Sequence, residues 1–164
     1  MKVSILIPTF NAKKYLNKLL PKLMEQQLPT GVTTEIIIID SSSTDETKEI
    51  VTKEYPDIQF HTIPNKEFDH GGTRNKLAGI SSGDYLLFMT QDAIPTNELL
   101  ISNLLSNFKD TDVKIAFARQ IPNDDASGIE QFARSFNYPD KRIVKDKQSI
   151  EKLGIKTFFN SNVC

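Results

Sequence analysis

Short apolar runs alternate along this chain with longer segments in which apolar residues recur at helical spacing. One run contains the four consecutive isoleucines of residues 36–39. A run without polar alternation is typical of a strand that is covered on both faces in a parallel sheet. On this pattern we expect strands at residues 3–8, 35–40, 58–63, 84–89 and 113–118.

The segment between the first two strands predicts an amphipathic helix. Its apolar residues recur every three or four positions from Ala12 to Met24, which places them on one helical face. Asn11 is the predicted N-cap. Pro21 should kink this helix or end it near Leu20, because a proline has no N–H and its ring clashes with the preceding turn.

Further helices are predicted between and after the later strands. Ser43 and Glu46 have the spacing of a capping box, with Ser43 as the N-cap of the second helix. Other helices are expected at residues 73–81, 96–108 and 129–136, and the charged residues 139–152 are expected to form a surface excursion. The alternation predicts an α/β fold with a mostly parallel sheet, helices on both faces and right-handed crossovers.

The length, composition and net charge of the chain limit the classes of protein to which it can belong. A chain of 164 residues, with 38% hydrophobic and 25% charged residues, has the size and composition of one globular domain, residues 1–164. Its formal net charge of -1 argues against nucleic acid as a partner. No apolar run is long enough to span a membrane, and the single Cys164 cannot form an intramolecular disulfide. A cytoplasmic location is therefore expected.

Acidic residues follow two of the predicted strands, at the carboxyl edge where such sheets bind ligands. Asp40 ends the isoleucine run and precedes three serines. Its carboxylate could accept hydrogen bonds from a base or sugar, or the segment could be only a capped turn. Asp92 could hold a divalent cation together with the phosphates of a nucleotide-sugar, or it could simply start a helix. Asp45 is expected in the first turn of the second helix.

A polar loop with two glycines precedes the predicted helix at residues 73–81. Gly71 and Gly72 would allow close backbone approach to a ligand, and Arg74 could bind phosphate oxygens. The alternatives are a tight turn and a surface ion pair. His70 lies in this loop, whereas His61 lies within a strand and is expected to be structural.

Several chemistries lack their sequence signatures. The chain has no dinucleotide-binding glycine fingerprint, no P-loop and no nucleophile elbow. Neither histidine has a Cys or His partner at the spacing of a zinc site. The adjacent Asp124 and Asp125 are interpreted as a solvated turn.

Four segments together resemble the family-2 glycosyltransferases of the GT-A fold. They are ILIPTFN at residues 5–11, IIIDSSSTD at 37–45, TRN at 73–75 and GDYLLFMTQD at 83–92. The resemblance implies a Rossmann-like sheet, a nucleotide-diphospho-sugar donor, inverting transfer and a divalent cation, Mg²⁺ or Mn²⁺. It also implies that Asp40 contacts the base and that Arg74 lies near the donor. The family's usual metal motif is Asp-x-Asp; here Thr90 takes the first position, and Ser41 replaces the usual second aspartate after the second strand.

These two departures, with residues 68–75, 90–93 and 135–139, resemble a rhamnosyltransferase-like subset of the family. That resemblance implies a dTDP-rhamnose-like donor or another nucleotide-sugar such as a UDP-sugar, with a polysaccharide, O-antigen or other glycan or lipid-linked acceptor. A cytoplasmic enzyme of this kind could work at the inner face of the membrane.

Family members continue into an acceptor-binding half that carries an acidic general base. The base is therefore expected beyond Cys164, this chain being the donor-binding part of a longer protein, and no residue here is predicted to be catalytic. Core surface left exposed by the missing half could drive self-association.

The predicted donor-binding residues lie at the carboxyl ends of predicted strands or in the segments that follow them. They are Pro8, Thr9, Asn11, Asp40, Ser42, His70, Gly72, Arg74, Gln91 and Asp92. Asp92 is also the predicted metal ligand. A non-catalytic nucleotide-sugar-binding or interaction module stays open as the alternative function, and an NAD-dependent oxidoreductase lacks its glycine fingerprint.

Overall fold

A four-stranded parallel sheet forms the centre of the computed structural model, which describes residues 1–122, 126–154, 157 and 163–164. The strands are β1 (Lys2–Thr9), β2 (Thr33–Asp40), β3 (Gln59–Thr62) and β4 (Tyr85–Phe88), in the spatial order β3-β2-β1-β4. β1 pairs with β2 along its whole length, so that Thr9 lies opposite Asp40. This register brings the carboxyl ends of the two central strands level with each other.

Helices cover both faces of this sheet. These helices are α1 (Lys13–Met24), α2 (Thr47–Glu54) and α4 (Leu100–Ser106) on one face and α3 (His70–Ile80) on the other. Two further helices of the described residues, α5 (Gly128–Asn137) and α6 (Ser149–Leu153), follow along the chain and have no buried residues. Leu16 of α1 and Val51 of α2 pack in one cluster with Ile5, whereas Leu77 of α3 packs in a second cluster with Leu6. Because successive strand residues face opposite sides, the predicted two-sided burial is confirmed.

The first helix does not end near Leu20, although such an end is one of the two effects predicted for Pro21. It continues through Pro21 to Met24, and the Glu25 N–H still donates to the Pro21 carbonyl at 3.0 Å. A proline inside a helix costs about 3 kcal/mol, whereas burying a leucine side chain contributes about 1.5–3 kcal/mol. Burial of Leu20 and Leu23 therefore outweighs the lost donor.

Two predicted N-caps are wrong. Asn11 does not cap α1, whose N-cap position is Ala12 and has no side-chain cap. α2 begins at Thr47 rather than after Ser43, so the predicted capping box does not form. In both cases the side chain that local spacing assigns to a helix end is bonded to another loop.

Other helix starts also differ from prediction. Asp45 lies two residues before α2 rather than in its first turn, and its carboxylate accepts from the Thr47 N–H at 3.1 Å. α3 starts at His70 rather than at Thr73, because the Asp69 carboxylate accepts from the Gly72 N–H and caps the helix earlier. α4 is shorter than predicted. The helix expected at residues 129–136 is confirmed as α5.

Residues 113–118 do not form the predicted fifth strand. The outer edge of β4 instead meets the last residues of the chain, where Phe88 and Cys164 exchange two backbone hydrogen bonds and Val163 forms an antiparallel bridge with Met89. Ala118 donates to the Val163 carbonyl. An apolar groove of about 1070 Å³ separates the rest of this edge from residues 113–116. The predicted Asp124–Asp125 turn lies outside the described residues.

A polar cluster joins the amino ends of the strands, opposite the predicted site. The Glu35 carboxylate lies 2.6 Å from the Lys2 ammonium and accepts from the Ser4 hydroxyl and from the Ser82 N–H. A Cβ on Gly83 would lie 2.5 Å from Ser4 Oγ, so only a glycine fits beside this cluster without displacement. Burial alone would raise the pKa of Glu35, but these hydrogen bonds outweigh it and lower the pKa to about 2.

Within the part of the chain that the structure describes, every helix is too short or too polar to cross a membrane.

Candidate functional site

Asp40 lies at the joined ends of β1 and β2, and the residue is only 2% exposed. Its Oδ1 accepts from the Thr9 hydroxyl at 2.9 Å and from the Ser43 hydroxyl, and its Oδ2 accepts from the Ser43 N–H at 2.8 Å. An ionised carboxylate has about four lone-pair positions. Three of them are used by the protein, so Oδ2 keeps capacity for one further donor.

Asn11 locks the loop after β1 onto the loop after β2. It adopts a φ of 48°, in the left-handed region. Its N–H donates to Ser43 Oγ at 2.8 Å, and its side-chain Oδ1 accepts from the Thr44 N–H at 2.9 Å. A non-glycine residue in this region costs on the order of 1–3 kcal/mol, and these bonds hold it there. The position predicted to cap a helix instead fixes the relation between two strand-end loops.

Further hydrogen bonds join the two loops at the starts of α1 and α2. The Asp45 carboxylate accepts from the Lys13 N–H at 3.1 Å, and the Thr47 hydroxyl accepts from the Ala12 N–H at 2.8 Å. Burial alone would raise the pKa of Asp45, but hydrogen bonds from Thr47 and Lys13 outweigh it and hold the pKa below its ordinary value. The starts of α1 and α2 are thus tied together by an ionised carboxylate.

Ser42 and Pro8 flank this network. Ser42 has a φ of 59°, and its hydroxyl donates to the Ile63 carbonyl at 2.8 Å, which ties the β2 loop to the end of β3. Pro8 is half-buried in β1, opposite Ile39 of β2. Both residues lie at the predicted edge of the sheet, where Ser42 bonds to Ile63 and Pro8 lies beside Ile39.

The loop after β4 brings Thr90, Gln91 and Asp92 to the same edge of the sheet. The Thr90 hydroxyl donates to Asp92 Oδ1 at 2.6 Å, and the Asp92 side chain is exposed. The Gln91 carboxamide bonds twice to Phe10: its Oε1 accepts from the Phe10 N–H at 2.8 Å and its Nε2 donates to the Phe10 carbonyl at 3.1 Å. The Phe10 side chain is 45% exposed.

The His70–Arg74 segment forms a separate group. The Arg74 guanidinium donates to the His70 carbonyl at 2.8 Å, and the Gly72 N–H donates to the Asp69 carboxylate. His70 and Arg74 line the groove beside β4 together with Cys164. Burial raises the pKa of the Cys164 thiol, and the Arg74 charge opposes that rise. Among the hydrogen bonds of the described residues, none joins this segment to the network around Asp40.

Two residues of this edge were missed as site residues by sequence reasoning. Ser43 supplies two of the three donors to Asp40, and the exposed Phe10 lies between Thr9 and Asn11. The signal for Ser43 was present in its hydroxyl, but the same spacing also fits a helix cap. For Phe10 the available signal was an aromatic residue directly after a buried strand.

The oxygens at the end of β4 suit a hard cation only when a ligand supplies the rest. In the described residues there is no group of three or more His, Cys, Asp or Glu side chains that could hold a metal ion. Asp92 and the adjacent Thr90 hydroxyl offer two oxygens. Mg²⁺ is commonly held by one or two carboxylates with substrate phosphates and waters, so these residues fit such an ion as part of a ligand complex.

Comparison with known proteins gives one consistent result. Residues 4–164 match the model of glycosyl transferase family 2. The chain is 40% identical over 163 residues to the O-antigen chain rhamnosyltransferase RfbN of Salmonella typhimurium, covering 99% of this chain and 51% of RfbN. It is also 40% identical over 161 residues to the O-antigen chain rhamnosyltransferase WbaN of Salmonella anatum, covering 97% of this chain and 50% of WbaN. The chain thus spans about half the length of these curated relatives.

Solved structures show the same fold. The crystal structure of S. aureus TarS 1-349 in complex with UDP superposes with a TM-score of 0.57 at 25% identity, over 75% of this chain and 38% of that one. The mannosyltransferase PcManGT from Pyrobaculum calidifontis, in complex with GDP-Man and Mn²⁺, gives a TM-score of 0.61 at 21% identity, over 72% of this chain and 35% of that one. The predicted GT-A fold is confirmed.

Proposed function

The chain belongs to glycosyl transferase family 2, and we propose that it forms the donor-binding part of an inverting glycosyltransferase that uses a nucleotide-diphospho-sugar. The observation that carries this proposal is Asp40. A buried carboxylate with one free acceptor position lies at the edge where parallel α/β sheets bind ligands. Two strand-end loops converge on it through Thr9 and Ser43.

Asp40 receives the base. A carboxylate only accepts hydrogen bonds, so Oδ2 suits an N–H donor of the base, and we assign it to the imino N–H that thymine, uracil and guanine carry. Cytosine and adenine have an unprotonated ring nitrogen at that position, with only an amino group beside it. The exposed Phe10 ring provides a stacking surface in the adjacent loop, where base–aromatic stacking contributes about 1–3 kcal/mol. In support, the TarS structure was solved with UDP and the PcManGT structure with GDP-Man.

Asp92 and Thr90 would hold a divalent cation, Mg²⁺ or Mn²⁺, at the diphosphate end of the site. When bound, the cation would neutralise charge on the leaving diphosphate. Asp92 would hold the ion by its exposed carboxylate, and the Thr90 hydroxyl orients Oδ1. Arg74 uses one of its five N–H groups on the His70 carbonyl, and we assign the others to the sugar–diphosphate end together with His70 and Gly72.

The proposed sugar is rhamnose, carried by a dTDP-rhamnose-like donor, with an O-antigen or other polysaccharide or lipid-linked glycan as acceptor. The two Salmonella relatives support this choice, since both are O-antigen chain rhamnosyltransferases. The general base would lie in the acceptor-binding half of the full-length protein. The protein would work in the cytoplasm, at the inner face of the membrane, and exposed apolar side chains such as Phe132 and Phe136 support self-association of the 164-residue chain.

Calorimetric titration with nucleoside diphosphates tests the donor site. We expect dTDP, UDP and GDP to bind in the presence of MnCl₂, and CDP and ADP to bind at least about tenfold more weakly, because an unprotonated ring nitrogen replaces the imino N–H and the lost hydrogen bond to a charged group is worth about 1.5–3 kcal/mol. Absence of binding by all five at millimolar concentration would show that the site is assigned wrongly. Equal binding by all five would show that Asp40 does not select the imino N–H of the base.

The metal role predicts opposite effects of two substitutions at the end of β4. D92N should abolish the gain in dTDP affinity that MnCl₂ gives, because it removes the charged ligand. T90D should increase that gain, because two neighbouring carboxylates repel each other until a cation lies between them. Titrations of each variant with and without MnCl₂ measure the effect. The control is D57N, which removes an exposed carboxylate before β3, at the opposite end of the sheet. Metal-independent binding by wild-type protein would contradict the assignment.

A non-catalytic nucleotide-sugar-binding module is the second candidate, because the chain spans only about half of its curated relatives. The two functions differ in donor turnover. Hydrolysis of dTDP-rhamnose should be measured for this chain and for a version that includes the downstream coding sequence of its gene. Turnover by the longer version supports an enzyme, and binding without turnover in both supports the module.

A further inference from the structure

The backbone pairing between β1 and β4 stops where β1 reaches Pro8. The Met89 N–H donates to the Leu6 carbonyl at 3.0 Å. Strand residues face the same neighbour at every second position, so the next residue of β1 that faces β4 is Pro8, which has no N–H to donate. The ladder lacks a donor there, immediately before the candidate site.

Gln91 restores the pairing beyond this gap with its side chain. Phe10 is the next residue in the same alternation, and its N–H and C=O are both bonded to the Gln91 carboxamide, at 2.8 and 3.1 Å. A carboxamide carries a donor and an acceptor in one plane, as a peptide group does. The side chain therefore acts as a substitute peptide that joins the β1 loop to the β4 loop.

The position of this contact links the two ends of the donor site. On one side, Asn11 fixes the Phe10 loop to Ser43, which in turn donates to Asp40. On the other side, Gln91 immediately precedes Asp92 in the chain. The Gln91–Phe10 pair is thus a direct connection between the loop next to Asp40 and the loop that carries Asp92.

We propose that Gln91 is a positioning residue that holds the base end of the donor site, at Phe10 and Asp40, at a fixed span from its diphosphate end, at Asp92. This inference rests on the proposed function. If the two loops are held at a fixed span, a complete nucleoside diphosphate should bind more tightly than expected from the separate affinities for its nucleoside and its diphosphate. The reason is that no conformational entropy has to be lost on binding to order the two loops.

The test compares Gln91→Met with wild type, because methionine keeps the length of the side chain and removes both hydrogen bonds. Three probes are titrated in MnCl₂: thymidine for the base end, inorganic pyrophosphate for the diphosphate end, and dTDP for both. We expect dTDP affinity to fall about tenfold, while the affinities for thymidine and pyrophosphate change less than twofold. The base end should survive because Asn11, Ser43 and Thr44 still hold it.

A merely structural role gives a different pattern. Damage to the fold would lower all three affinities together, and that result, or an unchanged dTDP affinity, would overturn the proposal. Gln91→Glu should also weaken dTDP binding, because it keeps the acceptor for the Phe10 N–H but places an oxygen against the Phe10 carbonyl. Gln148→Met is the matched control, at an exposed glutamine next to α6, and should behave as wild type.

Amide hydrogen exchange separates this inference from the proposed function. The Phe10 N–H should exchange at least about tenfold faster in Gln91→Met, because its acceptor is gone. If wild-type protein binds none of the probes, the donor site is wrong and the coupling falls with it, while faster Phe10 exchange still establishes the contact. Unchanged exchange at Phe10 would overturn the contact itself, whatever the nucleotide results.

Discussion

Asp40→Asn should weaken dTDP binding by about 10- to 100-fold, which corresponds to the roughly 1.5–3 kcal/mol of a hydrogen bond to a charged group. In the wild type, Oδ2 accepts from the Ser43 N–H and retains one acceptor position, which we assign to the base. Asparagine keeps the shape of the side chain but removes the charge. Calorimetric titration with dTDP in MnCl₂ measures the loss.

The substitution should leave the fold intact. Two of the three donors to Asp40 are the hydroxyls of Thr9 and Ser43, and a hydroxyl can rotate to accept from the new NH₂ group. The asparagine side-chain oxygen can then still accept the hydrogen bond from the Ser43 N–H. We expect about 1 kcal/mol of destabilisation, measured by urea unfolding. D57N serves as the control for loss of an exposed carboxylate, and wild-type dTDP affinity in Asp40→Asn would contradict the role of Asp40.

Glu35→Gln is expected to destabilise the protein by about 2 kcal/mol at neutral pH. Burial alone would raise the pKa of Glu35, but hydrogen bonds from Lys2, Ser4 and Ser82 lower it from 4.5 to about 2, and each pKa unit corresponds to about 1.4 kcal/mol. The Glu35 side chain is only 10% exposed, but the side chain of its partner Lys2 is 37% exposed, so solvent screening reduces the full value of the shift to about 2 kcal/mol. Urea unfolding at pH 7 measures the difference.

The pH dependence follows from the direction of this shift. A carboxyl whose pKa is lower in the folded protein binds its proton more readily in the unfolded chain, so its stabilisation is complete above the unfolded pKa. For Glu35 the contribution should therefore be constant above about pH 5, fall from pH 4.5, and be lost near pH 2. Glu35→Gln should approach wild-type stability at pH 2. Glu54→Gln, at an exposed position that ends α2, is the control, and parallel stability curves for wild type and Glu35→Gln would contradict the prediction.

Burial patterns made much of the fold predictable. The isoleucine run of β2 puts Ile36 and Ile38 in one core cluster and Ile37 and Ile39 in the other, and two-sided burial leaves an unbroken apolar run that can be seen without a structure. The carboxyl edge could be inferred as well, because ligand position in such sheets follows from strand direction. The prediction failed at residues 113–118, where apolar content alone did not decide whether a partner strand was present.

Local rules also failed where a side chain had a competing partner in another loop. The spacing of Ser43 suits a helix cap, yet its hydroxyl donates to Asp40 and accepts from the Asn11 N–H. The Asn11 side chain accepts a hydrogen bond from the N–H of Thr44, which lies 33 residues away in the sequence. The Gln91 side chain bonds to Phe10, which lies 81 residues away. Such distant pairs are set by the register and the order of the strands, and neither can be inferred from a short segment of the sequence.

By itself the sequence determined the α/β class, the apolar layers and the family resemblance, because burial and short motifs are properties of neighbouring residues. Only the tertiary structure decided how the polar side chains are used. It divided the predicted residues between a network around Asp40 and a separate group at His70 and Arg74, and it bonded Gln91 to the Phe10 backbone. The reason is geometric: a hydrogen bond needs its donor and acceptor about 3 Å apart, and the pairing of strands sets that distance.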